Sequence, residues 1–262
     1  MLRHTRRFYP TGSVLPTVWT ADGHAVNGAP TRTFLGSGDW IALDRTGDAS
    51  NSEQQGYSPG NIFVNGSNFL EIKAEKASSH GQAYRSGMIQ WTNLQMIHGT
   101  LEVRMQIAAG TGPWPAFWML GIGLQQQNIS TAADSPTAHW PIVSELADEL
   151  DIVEMLGSGR TNVNCQIHAD FGSGTVNDGP GTVALGFDAS AAFHTYQLIR
   201  AAGSLTWKAD GATLGTLTGA HVSDTPMFNI INIAVGGTGG GTIVDGTLPV
   251  STLVDYVKLV PA

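Results

Sequence analysis

Several features that would narrow the function of this sequence are missing from it. Cys165 is the only cysteine among 262 residues, so neither an internal disulfide nor a cysteine-based metal cluster can form. Charged residues make up 13% of the chain, about half the usual share for a globular domain. The net charge of −8 argues against a nucleic-acid or anionic-membrane partner, which would require a basic face.

Long apolar runs are absent as well. No stretch is apolar enough to span a membrane, and the basic residues 1–7 are not followed by the apolar run of a signal peptide. The chain also contains no glycine-rich phosphate loop and no His-x-x-x-His pair. Nucleotide binding and a helical zinc site therefore lack any signal.

The chain is instead rich in glycine and shows a two-residue hydrophobic period. Its 33 glycines and 42% hydrophobic residues suit many short strands joined by tight turns. The alternation predicts strands over residues 61–64, 68–74, 86–91, 100–107, 115–120, 149–155, 162–168, 194–200, 204–208, 228–235 and 252–260. Helical signal is thin, and only residues 142–148 favour a turn or two of helix.

Many short strands separated by turn signals are typical of an all-β sandwich or barrel. No repeat and no linker divides the chain. We therefore expect one domain over residues 1–262, in which residues 1–35 form an N-terminal arm with one or two short strands.

Three carboxylates fall within six residues of one predicted strand, Glu149 to Glu154. Glu149 and Asp151 are two apart and share a face, whereas Glu154 should point the other way. A β-bulge at Ile152 and Val153 would bring all three carboxylates onto one face. Bulges are over-represented next to active sites, where they re-aim a side chain.

Aligned carboxylates repel one another, so one must keep its proton near neutral pH while another stays ionised. Glycoside hydrolysis needs such a pair, because one carboxylate attacks the anomeric carbon and one carboxylic acid protonates the leaving oxygen. A solvent-facing acidic strand and a calcium site are the alternative interpretations. The apolar residues nearby argue against an exposed strand, and calcium prefers flexible loops rich in Asp, Asn and Gly. We therefore predict no metal ligand here.

The sequence around this strand resembles a known family. Glu149-x-Asp151-x-x-Glu154 is followed by Gly157. Six further segments match in order: Tyr84 to Ile89, His98 to Arg104, Gly112 to Gly121, Phe193 to Tyr196, Asn232 to Gly237 and Val254 to Val257. Together they resemble glycoside hydrolase family 16, on its laminarinase (endo-β-1,3-glucanase) side. Lichenases and xyloglucan enzymes of that family use a carboxylate motif one residue shorter.

This resemblance implies a β-jelly-roll sandwich with a long cleft across its concave sheet. It makes Glu149 the nucleophile, Glu154 the general acid/base and Asp151 the residue that orients and tunes Glu149. The implied activity is retaining endo-hydrolysis of β-1,3-glucan, extending to mixed-linkage β-1,3-1,4-glucan. No cofactor is required, although the fold is compatible with a structural calcium ion. We expect a monomer whose partner is a polysaccharide and which acts outside the cell, because its substrate is a polymer.

Aromatic and polar residues near the motif are candidates for substrate binding. Trp114 and Trp118 are four apart, so they share a strand face with Ala116 between them, and indole faces stack on sugar rings. The alternative is that both are core aromatics. Trp140 is a loop aromatic that could form another sugar platform. His168 ends a polar row on its strand and is either a neighbour of the active site or a structural histidine.

Two further candidates and three departures concern the cleft around the carboxylates. The family places an Asn and an Arg in this part of the cleft, which makes Asn61 and Arg85 candidates; otherwise they are ordinary loop or surface residues. Met88 stands where the family carries Arg, residues 142–148 resemble a short insertion, and Thr238 follows Gly-Gly where Trp is common.

Two rival functions share the fold. A galactan of the agar or carrageenan type could be the substrate, although a sulfated polymer would favour a basic cleft and the cleft segments carry few Lys or Arg. A non-catalytic carbohydrate-binding lectin is the other rival, since one fold serves several functions. Loss of the catalytic Glu residues would mark such a lectin, and both are present.

Overall fold

A computed structural model gives the fold as two facing antiparallel β-sheets with a small third sheet. It describes residues 4–7, 32–35, 40–67, 69–91, 96–121, 148–170, 175–222 and 224–262. One eight-stranded sheet, here called the support sheet, has the order β17 (Ala212–Thr218), β16 (Ser204–Ala209), β15 (His194–Ala201), β10 (Gly99–Gln106), β19 (Val250–Pro261), β7 (Leu70–Ala74) and β6 (Ile62–Val64), and β1 (His4–Arg7) pairs with β19.

The other eight-stranded sheet contains the carboxylate motif and is here called the carboxylate sheet. Its order is β14 (Thr175–Ala184), β13 (Asn162–Asp170), β12 (Glu149–Glu154), β11 (Pro113–Gly121), β18 (Met227–Val235), β9 (Met88–Trp91), β3 (Trp40–Leu43) and β2 (Arg32–Leu35). The third sheet joins β4 (Arg45–Thr46), β5 (Gln55–Tyr57) and β8 (Tyr84–Ser86), and its β5–β8 pair is parallel. This arrangement confirms the predicted all-β sandwich.

Helix is scarce in the described part of the chain, as predicted. The single α-helix there, α1 (Gly237–Gly240), has four residues, and 3-10 turns cover Pro59–Asn61 and Asp245–Thr247. Neither α1 nor the two turns has the length and apolarity that crossing a membrane would require. The predicted helical turn lies outside the described residues except at its last position.

The main core lies between the two large sheets, and the two-residue period builds it. The buried apolar residues alternate along the strands as predicted, and on β10 and β13 they are Leu101, Val103, Met105, Val163, Cys165 and Ile167. Because successive side chains of a strand point to opposite faces, the other residues of these strands face away from the core. The polar row of β13 is thereby presented on the outer face of the carboxylate sheet.

Strand β18 is buried on both faces, and this explains why it is nearly all apolar. Ile231, Ile233 and Val235 belong to the main core. Phe228 and Ile230 belong to a second cluster on the outer face of the same sheet. The cluster also contains Leu43, Tyr57, Met88, Trp118 and Leu120. We call it the floor cluster, because it lies under the cleft described below.

The predicted β-bulge in β12 is confirmed. Asp151 pairs with Gln166 of β13, but the next pair joins Glu154 to Asn164, so β12 carries one residue more than its partner. The register against β11 shifts at the same point. Ile152 and Val153 both enter the main core as a result. Glu154 is thereby returned to the outer face of the sheet.

The bulge leaves two backbone carbonyls facing the core, and core side chains satisfy both. Trp207 of β16 donates its indole N–H to the Asp151 carbonyl at 2.8 Å. The Cys165 thiol donates to the Ile152 carbonyl at 3.2 Å. Buried carbonyls left without a donor are costly, so these two contacts hold the bulge in place.

The sequence pattern missed five described strands, all of them short, irregular or at a sheet edge. Strand β14 contains Gly179, Pro180 and Gly181, which read as a turn, yet Pro is tolerated on an edge strand. The predicted strand 86–91 is divided at Gly87, where a β-carbon would crowd Ile62 and Ile72. The other missed strands are β3, β4, β5 and β17, whereas β1 and β2 are short strands within the predicted arm of residues 1–35.

Replacing Trp207 with Phe should destabilise the sandwich by about 1–3 kcal/mol, because the buried Asp151 carbonyl loses its donor. Chemical denaturation gives the free energy of unfolding. Tyr196→Phe is the matched control: Tyr196 is equally buried, but its hydroxyl has no hydrogen-bond partner among the described residues. It should leave stability unchanged or raise it. Equal losses from both substitutions would show that the indole N–H contributes nothing at the bulge.

Candidate active site

A cleft of about 570 Å³, open to solvent, lies on the outer face of the carboxylate sheet. Strands β11, β12 and β18 and the segment between β4 and β5 supply most of its walls. The lining residues are Arg45, Asp48, Asn51, Glu53, Tyr57, Met88, Trp114, Ala116, Trp118, Glu149, Asp151, Glu154, Asn232 and Ala234.

The bulge brings Glu149, Asp151 and Glu154 into this cleft together. The side chain of Asp151 is buried, whereas the side chains of Glu149 and Glu154 are partly exposed. Asp151 therefore lies beneath its two neighbours. The arrangement sets three carboxylates on one short strand, with the two Glu side chains open to a ligand.

Glu154 is held by two hydrogen-bond donors. The Trp114 indole N–H donates to its Oε1 atom at 2.9 Å, and the Asn164 amide donates to its Oε2 atom at 2.7 Å. Hydrogen bonds to a carboxylate favour the ionised form. Trp114 thus lines the cleft, as its spacing predicted, and also contacts the carboxylate of Glu154.

Trp118 has a different place from Trp114, although both share the cleft face. It is 9% exposed and belongs to the floor cluster. Its indole N–H donates to Asn232 Oδ1 at 2.7 Å, the Asn232 amide donates to the Tyr57 hydroxyl at 2.9 Å, and that hydroxyl donates to Glu53 at 3.2 Å. This chain of hydrogen bonds fixes Trp118 in the floor of the cleft.

His168 lies next to the carboxylates, on the strand paired with β12. Its Nε2 atom is 3.2 Å from Asp151 Oδ2 and 4.0 Å from Glu149 Oε1. Its Nδ1 atom is 2.6 Å from Asn177 Oδ1, an acceptor, so Nδ1 carries a proton. Burial lowers the pKa of His168, but the hydrogen bond and charge of Asp151 outweigh it and raise the pKa to about 9.

Burial also dominates the electrostatics of the two Glu residues. It raises the pKa of Glu149 to about 8, with the charge of Asp151 as the second cause and His168 opposing it. Burial and the charge of Asp151 raise the pKa of Glu154 to about 7, against the hydrogen bonds from Asn164 and Trp114. Near neutral pH the cleft thus holds both a protonated and an ionised carboxyl.

Residues 50–251 match the family model for glycosyl hydrolases family 16. The chain belongs to this family. Its structural neighbours include the laminarinase catalytic domain of Thermotoga maritima, with a TM-score of 0.68 and 28% identity over 84% of this chain and 90% of that one. The endo-1,3-beta-glucanase (laminarinase) catalytic domain of Thermotoga petrophila matches with a TM-score of 0.69 and 27% identity. The match covers 86% of this chain and 92% of that one. The family and jelly-roll fold implied by the sequence resemblance are confirmed.

Curated relatives agree with this membership. The endo-1,3-1,4-beta-glycanase ExsH of Rhizobium meliloti is 32% identical over 80% of this chain and 43% of its own length. A beta-glucanase of Paenibacillus polymyxa is 28% identical over 86% of this chain and 88% of its own. The chain spans less than half the length of ExsH and of a second R. meliloti glycanase, EglC.

Two residues chosen by family position do not line the cleft in this member of family 16. Asn61 is 1% exposed and donates to the Lys73 carbonyl and to the Glu75 carboxylate. Arg85 forms an ion pair with Glu75 at 2.7 Å. Both side chains are thus held by Glu75, and their role in substrate binding stays a prediction. Trp140 lies outside the described residues and stays a prediction.

The cleft also contains residues that sequence reasoning missed. Asn232 is a polar residue within the apolar run of β18, and that contrast was a usable signal. Glu53 accepts hydrogen bonds from the Asp48 N–H, the Gln55 amide and the Tyr57 hydroxyl. Burial raises its pKa despite these bonds. The segment between β4 and β5, which carries Asp48 and Glu53, is rich in turn formers and shows no strand period. Its contribution to the cleft could therefore not be predicted from the sequence.

Glu149→Gln should stabilise the protein at alkaline pH. A carboxyl whose folded-state pKa is raised contributes stability below its unfolded-state pKa, and this contribution is lost as pH rises through the folded-state value. The amide cannot ionise, so Tm should rise relative to wild type more at about pH 8.5 than at about pH 5. Glu71→Gln, on β7 of the support sheet, is the control and should shift Tm equally at both. A larger gain from Glu149→Gln at the acidic pH would contradict this account.

Proposed function

We propose that this chain is a retaining, endo-acting hydrolase of β-1,3-glucan that also accepts mixed-linkage β-1,3-1,4-glucan. The observation that carries the proposal is the bulged strand β12, which sets three carboxylates on the floor of an open cleft. Membership of family 16, laminarinase structural neighbours and relatives named endo-1,3-1,4-beta-glycanase and beta-glucanase support the substrate class.

In the proposed mechanism, a Glu149 carboxylate oxygen attacks the anomeric carbon while the Glu154 carboxyl transfers its proton to the leaving oxygen. The glycosidic bond breaks and a glycosyl ester of Glu149 forms. Glu154, now ionised, takes a proton from water, which attacks the anomeric carbon and releases Glu149. Trp114 and Asn164 stabilise the ionised Glu154 that this cycle produces.

Asp151 and His168 act on Glu149 in this proposal. The buried Asp151 carboxylate and the His168 ring lie beside it, and His168 Nε2 is 4.0 Å from Glu149 Oε1 and 3.2 Å from Asp151 Oδ2. This is the orienting and tuning role that the family pattern implies for Asp151.

The pKa order in the free protein runs opposite to these roles, since Glu149 is raised further than Glu154. The two groups interact, so their pKa values belong to the pair rather than to either residue. Positive charge that develops on the sugar beside Glu149 favours the ionised form of that residue. The proton then resides on Glu154, where the leaving oxygen requires it.

The charge of the cleft favours a neutral polymer over a sulfated galactan. Five of its lining residues are acidic and one, Arg45, is basic. Sulfate groups would be repelled by this excess of carboxylates.

Hydrolysis of this kind uses side chains and water alone. A polymeric substrate also favours action outside the cell, and we expect a monomer to suffice, because all three carboxylates come from one strand.

No separate calcium site is supported by the described residues. Their one group of three close ligand-type side chains, with atoms within 4.8 Å of one another, is Glu149, Asp151 and His168. Calcium prefers oxygen ligands alone, and this group contains an imidazole. Its members already have roles in the proposed mechanism.

The two Glu roles can be separated by rescue with azide. Glu149→Ala should lose about 10²-fold or more of its activity on laminarin, and azide should attack the face left open by the missing nucleophile, giving an α-glycosyl azide. Glu154→Ala should still form the glycosyl-enzyme from an activated aryl β-glucoside, and azide should then give the β-glycosyl azide. Proton NMR identifies the anomer.

Glu71→Ala is the control and should keep wild-type activity. Azide products of opposite configuration would reverse the two assignments. Wild-type release of the α anomer as the first product would exclude retention. Reducing-sugar release from laminarin, mixed-linkage glucan, agarose and carrageenan tests the substrate class, and activity confined to the galactans would overturn it.

A further inference from the structure

The glycine-rich segment 236–241 has no role in the chemistry described so far, yet it is fixed on three sides. Its Thr238 N–H donates to the Asn51 carbonyl at 2.9 Å, and its Gly236 N–H donates to the Gly112 carbonyl at 2.8 Å. The Gly239 carbonyl accepts from the Gly157 N–H at 2.7 Å. Helix α1 is therefore tied to the cleft segment before β5, to the start of β11 and to the loop after β12.

Gly239 lies directly against the ring of Trp114. A β-carbon built on Gly239 would overlap the Cδ2, Cε2 and Cζ2 atoms of the indole. The φ angle of Gly239 is not in the left-handed region, so its backbone conformation is open to any residue. Contact with the indole, rather than backbone geometry, is thus what requires glycine at this position.

The Trp114 indole also contacts Glu154. Its Nε1 atom, which is bonded to Cε2, lies 2.9 Å from Glu154 Oε1, so a side chain at position 239 would meet the ring next to its donor atom. Arg160 fixes the two chain segments that carry these residues, and it donates to the backbone carbonyls of Ala108, Gly110, Pro113, Gly157 and Gly159. With both segments fixed, α1 is placed to push the ring, because a β-carbon on its Gly239 would overlap the indole.

We propose that Gly239 is a positioning residue, which lets α1 close against the Trp114 indole and so keeps the indole N–H on the Glu154 carboxylate. Its catalytic meaning rests on the proposed function, because there Glu154 is the general acid/base. Any side chain at position 239 displaces the indole and weakens that hydrogen bond.

Loss of this hydrogen bond has a defined electrostatic consequence. The Trp114 N–H favours the ionised form of Glu154 and so opposes the rise in its pKa caused by burial and by Asp151. A displaced indole therefore leaves Glu154 with a higher pKa. The titratable and charged groups that share the cleft with it are Glu149, Asp151, His168, Arg45, Asp48 and Glu53. The three atoms nearest to a β-carbon on Gly239 all belong to Trp114 and to none of these groups.

Gly239→Ala tests the proposal through the pH profile of kcat/KM. The alkaline limb, which reports the protonated acid, should move to higher pH, and the maximum should fall about tenfold, the effect of losing a hydrogen bond to a charged group. Gly246→Ala is the matched control, because a β-carbon there meets no atom within 4 Å. It should keep the wild-type profile. In a Trp114→Phe background, which lacks the N–H, Gly239→Ala should cause no further shift of the limb.

A second measurement does not depend on hydrolysis. With ¹⁵N-labelled tryptophan, the indole signal absent from Trp114→Phe belongs to Trp114, and in wild type it should titrate with Glu154. Gly239→Ala should remove this titration and Gly246→Ala should retain it. An unchanged indole titration in Gly239→Ala would overturn the proposal, even for a protein that proves inactive on glucans. For an active enzyme, an unchanged pH profile would overturn it as well.

A folding failure of Gly239→Ala is also informative. Removing the indole should then restore folding, so Trp114→Ala/Gly239→Ala should have the Tm of Trp114→Ala alone. If the double variant also fails to fold, Gly239 is required for a reason unrelated to Trp114, and the proposal is wrong.

Discussion

The cleft depends on how two peptide carbonyls are satisfied inside the sandwich. A bulge in β12 turns the Asp151 and Ile152 carbonyls toward the core, where Trp207 and Cys165 donate to them. Without these donors, two unpaired carbonyls in an apolar core would favour a regular ladder. A regular ladder would place Glu154 in the core and leave Glu149 as the one Glu of β12 in the cleft. The place of Glu154 in the cleft is thus set by residues of the core.

The same contacts couple the two sheets. Trp207 belongs to the support sheet, and its hydrogen bond reaches the backbone of the strand that carries all three carboxylates. On the outer face, the floor cluster buries the other side of β18 and gives Trp118 a fixed place. The carboxylate sheet is therefore packed on both faces at its centre, and the titrating groups lie on a rigid surface. Such rigidity keeps reacting groups within the small tolerances that catalysis requires.

Much of the fold and of the carboxylate site could be predicted from the sequence, because the patterns that indicate them lie within single strands. Alternation along β10 and β13 is a direct consequence of strand geometry, and the parity of the three carboxylates in β12 required a bulge. Asn61 and Arg85 were chosen by family position alone, and their side chains contact Glu75 instead of lining the cleft. Contacts of that kind join segments far apart in the chain, and no periodicity encodes them. The irregular segment around Asp48 and Glu53 was missed for the same reason.

The lone cysteine gives the molecule a built-in reporter. Cys165 is fully buried, burial raises the pKa of its thiol, and its proton is held by the Ile152 carbonyl. A thiol reagent can reach it only when the carboxylate strand separates from its neighbour or the sheets part. The labelling rate of an otherwise cysteine-free chain therefore measures how often this part of the sandwich opens, without any label being introduced.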